Sequence, residues 1–190
     1  GDNAPAGGEV NGLSSKEVFQ YNEGKQWWYE TRIAVTDVSD YNIFVGFADN
    51  GFVDPATIPT DCIGFSHLED TTSIQFLSRK NNAGVSFDMT DSAGGSTYTF
   101  QDSTVPTQTA STLAMPTNSV RLGFHFMPAG TELGQTSNQF KLYLDGKKVG
   151  TQAATTVPDD IALELKIFTE SKGTNANHLA TDWVQTIVQR

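Results

Sequence analysis

The sequence has little cysteine and little positive charge. Its 190 residues include one cysteine, Cys62, so no internal disulfide can form, and a cysteine-based zinc site is excluded. Twelve Lys and Arg residues stand against 22 Asp and Glu residues, which gives a formal net charge of −10. Binding to a nucleic-acid backbone depends on clustered basic residues, so this balance argues against a nucleic-acid partner.

Long apolar runs are also missing. No stretch reaches the ~18–20 apolar residues that cross a bilayer as a helix. Residues 1–12 contain neither the basic nor the apolar segment of a signal peptide. No Asn is followed two positions later by Ser or Thr, so there is no N-glycosylation site. We therefore expect a protein with no membrane partner and no signal peptide.

Period-two alternation, typical of β-strands, replaces any sustained helical period. In the segment that begins at Trp27, aromatic and β-branched residues occupy every second position. Further strand-like runs follow, separated by Gly, Pro, Asn and Asp. They are residues 42–48, 62–67, 73–78, 85–88, 97–100, 120–127, 140–144, 148–151, 162–168 and 180–188. Asp145-Gly146, between two of these runs, is a strong signal for a type I′ hairpin turn.

These patterns predict an all-β protein with two antiparallel sheets packed as a β-sandwich. We expect about 11–12 strands, since two stacked sheets leave few open strand edges. The small and polar residues 1–13 are interpreted as a flexible N-terminal arm, and residues 14–190 as one sandwich domain.

Two long segments, residues 50–61 and 101–118, interrupt the strand pattern. Loops of more than ~12 residues are uncommon in compact domains and often carry function. Asp49 immediately precedes the first segment, and Asn50 and Asp54 lie at its start; the oxygens of these three residues are a candidate calcium site. Their spacing does not match an EF-hand, and the alternative is a turn stabilised by side-chain hydrogen bonds. No cofactor is expected.

Four segments together resemble the concanavalin A-like lectin/glucanase jelly roll, the group that includes laminin-G-like domains. They are WYETRI (28–33), NIFVGFA (42–48), FKLYLDGKKV (140–149) and DWVQTI (182–187). They occur in the order of that group. Together with the acidic charge and the N-terminal arm, they are similar to virion structural proteins of tailed phages.

The carboxylate pair of the glucanases of this group is missing. Retaining glycosidases need two carboxyl groups ~5–5.5 Å apart, which alternate positions of one strand can supply. Glu164 stands near Lys166, and Glu30 near Arg32, but neither strand offers a second acid. The pattern therefore predicts no catalytic residues and a protein that is not an enzyme, with a glycan hydrolase the least favoured function.

Aromatic residues are the candidates for contact with a partner or a glycan. Trp27, Trp28 and Tyr143 could offer stacking faces. Because neighbouring strand residues point to opposite faces, one of the two tryptophans must face the core.

The resemblance implies a non-enzymatic phage protein, a capsid decoration or cement protein on the virion surface. Its expected partner is the major capsid protein, and we expect a homo-oligomer, a dimer or a trimer. The alternative is a carbohydrate-binding or adhesin module in a tail fibre or on a bacterial surface.

Overall fold

The regular secondary structure of the computed structural model consists of β-strands. The structure describes residues 9–22, 24–69, 71–104, 117–172 and 179–189. Within these ranges there are eleven β-strands and no α-helix, so no helix could span a membrane. The strands are β1 (Glu9–Phe19), β2 (Trp27–Val35), β3 (Tyr41–Ala48), β4 (Cys62–His67), β5 (Gln75–Lys80), β6 (Ala83–Asp88), β7 (Val120–Met127), β8 (Gln139–Leu144), β9 (Lys147–Ala153), β10 (Leu163–Ser171) and β11 (Leu179–Val188).

The strands form two antiparallel sheets, which confirms the predicted sandwich. One sheet has six strands in the order β1-β10-β3-β4-β5-β6, and the other has five in the order β11-β2-β7-β8-β9. The predicted hairpin turn between β8 and β9 is present, with positive φ at both Asp145 and Gly146. The predicted strand at residues 97–100 is wrong, because Thr97 makes only an isolated bridge to Thr90.

The first strand corrects the predicted boundary of the N-terminal arm. β1 pairs with β10 from Glu9↔Ser171 onwards, so residues 9–13 belong to a sheet rather than to an arm. Residues 1–8 lie outside the described residues. The sequence pattern is weak because β1 is an edge strand with a register shift between Ser14 and Val18, which interrupts period two.

Aromatic side chains fill the space between the sheets. Trp27 is buried between them, 4.9 Å from Phe124 between ring centroids and nearly perpendicular to it. Phe76 from the six-stranded sheet approaches Phe140 from the five-stranded sheet to 5.0 Å. Such offset and edge-to-face contacts add to the burial of apolar area. These core contacts hold the inner face of the five-stranded sheet in place.

A second, smaller cluster covers the outer face of the six-stranded sheet. Residues 49–61, called the covering loop below, contribute Phe52 to this cluster. Phe52 of this loop packs 5.0 Å from Phe44 and 5.9 Å from Phe168, with Cys62 and Leu77 in the same cluster. Phe52 therefore covers part of this face, whereas the outer face of the five-stranded sheet carries no comparable apolar cluster in the described residues.

Candidate functional site

Alternation along β2 separates the two neighbouring tryptophans. Trp27 is 2% exposed and packs in the core between the sheets. The prediction that Trp27 could contact a partner or a glycan is therefore corrected. Trp28 points to the opposite face, where its side chain is half-buried.

Trp28 lies against His125 and Tyr143, and we call these three residues the aromatic platform. The ring centroids of Trp28 and His125 are 5.5 Å apart, and those of Trp28 and Tyr143 are 4.7 Å apart. Trp28 and His125 are directly paired on β2 and β7. The structure thus brings together two of the three predicted aromatic contacts and adds a histidine.

A glycine allows the platform to form across three strands. Tyr143 is on β8 and Trp28 on β2, with β7 between them. The residue of β7 paired with both Tyr143 and Glu30 is Gly123, which has no side chain to separate the two rings. A Cβ added at Gly123 would lie 3.2 Å from the Tyr29 carbonyl oxygen and 3.3 Å from Glu30 Cγ, so even a methyl group fits tightly.

The environment of His125 favours its uncharged form. Its Nε2 donates to Gln26 Oε1 at 3.0 Å. Burial, and next the Lys141 ammonium, lower the pKa of His125 below its ordinary value of 6.5, against the smaller opposite effect of Glu132. Lys141 is itself paired with Glu132. The platform is therefore a mostly apolar aromatic surface with polar groups at its rim.

A concave feature lies further along the same sheet face, and we call it the end pocket. Its volume is ≈ 270 Å³. It is lined by Arg32, Ser119, Arg121, Asp145 and Trp183. Arg32 Nε donates to Ser119 Oγ at 2.9 Å, and the Arg121 backbone N–H donates to Asp145 Oδ1 at 2.9 Å. The lining thus combines an aromatic ring with fixed donors and acceptors.

The candidate calcium residues form turns within the covering loop. Asp49 Oδ1 accepts a hydrogen bond from the Gly51 backbone N–H at 2.9 Å, and Asp54 Oδ1 accepts one from the Ala56 backbone N–H at 2.9 Å. Both aspartates line a cavity of ≈ 170 Å³, and Asn50 is exposed. No group of three or more His, Cys, Asp or Glu residues suited to a metal occurs among the residues that the structure describes. A calcium site at these positions stays a prediction.

The carboxylates considered for catalysis are engaged in ion pairs on different sheets. Glu164 is 2.7 Å from Lys166 Nζ and accepts a hydrogen bond from Ser14 Oγ at 2.6 Å, and these contacts lower its pKa. Glu30 is 2.9 Å from Arg121 Nε. A glycosidase acid needs a raised pKa. Each described carboxylate with a resolved shift is lowered instead: Glu132, Asp159 and Glu164.

Comparison with known proteins places this geometry in a structural group. No protein-family model matches the chain, and no curated protein matches its sequence. The Emp47p carbohydrate recognition domain superposes with a TM-score of 0.62 at 10% identity, over 97% of this chain and 80% of that one. The fold is the concanavalin A-like jelly roll.

Two further solved structures support the same assignment. The metal-free Emp46p carbohydrate recognition domain gives a TM-score of 0.60 at 9% identity, over 97% of this chain and 80% of that one. A prokaryotic β-1,3-1,4-glucanase (lichenase) from a mouse hindgut metagenome gives a TM-score of 0.54 at 16% identity, over 91% of this chain and 69% of that one. At such low identity the jelly-roll similarity confirms the predicted fold and leaves the function to the site.

Proposed function

We propose that the chain is a carbohydrate-binding module whose ligand lies on the aromatic platform. The observation that carries the proposal is the contact between Trp28 and Tyr143, 4.7 Å apart on the outer face of the five-stranded sheet. The carbohydrate recognition domains of Emp46p and Emp47p, which share the fold, support it.

The platform offers what a sugar ring needs from a binding surface. Aromatic rings contact the apolar C–H face of a sugar, and polar side chains around them orient its hydroxyl groups. Gln26, Lys141 and Glu132 surround the platform and supply an amide, an ammonium and a carboxylate. Because these side chains are already held by His125 and by one another, little ordering is required on binding.

Binding is favoured over hydrolysis by the state of the carboxylates. Glu30, the acid next to the platform on β2, is 14% exposed at its side chain and paired with Arg121. Its carboxylate therefore contacts a guanidinium rather than the second carboxyl group that a retaining glycosidase needs. The capsid decoration role stays a prediction, because none of the solved structures named above is a virion protein.

Affinity electrophoresis tests the proposal. The wild type is run in native gels that contain a soluble neutral β-glucan, a mannan or a xylan, and we expect retardation by at least one of them. Trp28→Ala and Tyr143→Ala should each weaken that binding about tenfold or more, because truncating an aromatic anchor costs about 1.4 kcal/mol or more. Leu13→Ala, on the other sheet and 71% exposed, is the matched control and should bind as the wild type does.

Two results would contradict the proposal. One is a wild type that no neutral polysaccharide retards. The other is undiminished retardation of Trp28→Ala and Tyr143→Ala. Thermal melts of both variants ensure that lost binding is read only from folded protein.

A further inference from the structure

The aromatic platform and the end pocket lie on one continuous line. Outward-facing residues follow one another along β2 as Trp28, Glu30 and Arg32. Alternate residues of a strand are ~6.6 Å apart, so Trp28 and Arg32 are separated by ~13 Å. That distance exceeds a single sugar ring and suits an oligosaccharide.

A break in the register of β11 gives the end pocket its aromatic wall. The pairing of β11 with β2 shifts between Thr181 and Val184, so Trp183 lies in an irregular step of the strand. The Trp183 carbonyl oxygen accepts a hydrogen bond from Thr31 Oγ1 at 3.1 Å, which fixes this step. Bulges of this kind redirect side chains and are frequent beside binding sites. Trp183 thereby provides a second aromatic surface at the far end of the line.

The charges around the end pocket favour an uncharged ligand. Arg121 Nε lies 2.9 Å from Glu30 Oε1, and Arg32 Nη1 lies 3.6 Å from Asp182 Oδ2. Asp145 adds a third carboxylate to the two guanidinium groups. No net positive charge is therefore left at the pocket for a sulfate or a uronate.

The polar groups match the hydroxyl groups of a neutral sugar. The planar guanidinium groups of Arg32 and Arg121 present several N–H donors each, and the exposed Asp145 carboxylate can accept from a hydroxyl. A sugar with neighbouring hydroxyls can accept from the first and donate to the second. The pocket volume, near the lower end of the range for ligand sites, suits one sugar unit.

We infer that the end pocket is a second sugar subsite, and that the ligand is a neutral oligosaccharide lying along β2 from the aromatic platform to Trp183. This inference rests on the proposed carbohydrate-binding function. It adds the ligand class, the direction of the chain on the sheet and a requirement for length.

Isothermal titration with neutral gluco- and manno-oligosaccharides of increasing length tests it. We expect the affinity to rise from the disaccharide until both subsites are filled and then to level off. Trp183→Ala should lower the affinity for the long oligosaccharides about tenfold and leave the affinity for the disaccharide nearly unchanged. Trp28→Ala should weaken binding at every length. Val188→Ala, an exposed change on the same strand, serves as the control.

A second variant guards against misfolding at the β11 bulge. Arg32→Gln keeps a hydrogen-bonding side chain while it removes the guanidinium, and it should reproduce the length-selective loss. The anionic arm uses oligogalacturonates and sulfated oligosaccharides, which should bind more weakly than neutral chains of equal length.

The outcomes separate this inference from the proposed function. Binding that depends on Trp28 but not on chain length overturns the second subsite and leaves the binding module standing. The second subsite is also overturned if Trp183→Ala and Arg32→Gln lose the same affinity for oligosaccharides of every length. Tighter binding of the anionic chains than of the neutral ones would overturn it as well. Binding that is unaffected by Trp28→Ala overturns both.

Discussion

Trp27 and Trp28 are neighbours in the chain with opposite environments. Trp27 contacts Phe124 and Phe47 in the core, whereas Trp28 contacts Tyr143 on the outer sheet face. One step along β2 therefore separates a residue that holds the sheets together from one that is free to meet a ligand. Substitution of Trp27 should primarily affect stability, and substitution of Trp28 should primarily affect binding.

His125 makes the stability of the protein depend on pH. Its folded-state pKa is lowered, so the unfolded state binds a proton near the ordinary value of 6.5 while the folded state stays neutral to lower pH. Stability should accordingly fall as pH drops below about 6.5, until the folded His125 is protonated too. Urea unfolding at about pH 7.5 and about pH 5.5 measures the effect.

His125→Gln provides the comparison for this pH effect, since glutamine does not titrate. The wild type should lose more stability than His125→Gln between the two pH values. Carboxylates with lowered pKa, such as Glu132, titrate at still lower pH and act in both proteins. Equal losses in the two proteins would show that His125 does not have the lowered pKa.

The residues of the site could be predicted from the sequence only in part. Trp28 and Tyr143 stand out as aromatic residues in strands, and alternation requires one tryptophan to point outwards. Their contact depends on β7 lying between β2 and β8, with Gly123 at the crossing. That order results from pairing between distant segments, which local periodicity does not encode. His125 and Trp183 were missed for the same reason.

The covering loop is an element whose role differs from that of an ordinary crossover. Phe52 is 5% exposed, although it lies in a segment without regular secondary structure. The loop is held at its base by the Asp49 backbone N–H, which donates to the Asp61 carbonyl oxygen at 3.0 Å. Phe52 thus attaches the loop to the sheet, and the turns around Asp49 and Asp54 shape it.

Removing the Phe52 ring should detach the covering loop. Phe52→Ala is expected to lower the free energy of unfolding by about 3 kcal/mol, because it leaves a cavity between Phe44 and Phe168. Val53→Ala is the matched control, since Val53 is 63% exposed and should be nearly neutral. Urea unfolding monitored by circular dichroism gives both values. Similar losses in the two variants would show that Phe52 does not anchor the loop.

Across the whole molecule, charge is unevenly distributed between the sheets and the loops. The five strands of the β11-β2-β7-β8-β9 sheet contain five Lys or Arg residues and two Asp or Glu residues, in a chain whose net charge is −10. The excess of acid therefore lies in the rest of the chain. The sheet that carries the proposed ligand face thus holds little of the chain's negative charge.

For the whole molecule, the sequence was enough to predict the fold class, but it did not predict the order of the strands in each sheet. Period two and the turn at Asp145-Gly146 were enough to predict a two-sheet sandwich with nearly all of its strands. β1 was not predicted, because it is stabilised by pairing with β10 rather than by a regular apolar pattern of its own. The likeness to phage capsid proteins rested on the order of four segments together with the acidic charge and the predicted arm, and the capsid role stays a prediction.

The reactivity of the single cysteine reports how often the covering loop opens. Cys62 lies beneath the loop with no exposed surface, and burial raises the pKa of its thiol above the ordinary value. The thiolate is the form that attacks a thiol reagent, so Cys62 reacts only during moments when the loop lifts or the protein unfolds. Labelling with an aromatic disulfide reagent should be at least about a hundredfold slower than with the unfolded chain.

The rate of this labelling distinguishes local from global motion. If the loop lifts alone, Phe52→Ala accelerates labelling by more than its loss of global stability accounts for, whereas global opening makes the two change together. Fast labelling of the native wild type would contradict the burial of the thiol. The labelling rate of Cys62 thus measures how often the outer face of the six-stranded sheet opens, and no probe has to be introduced.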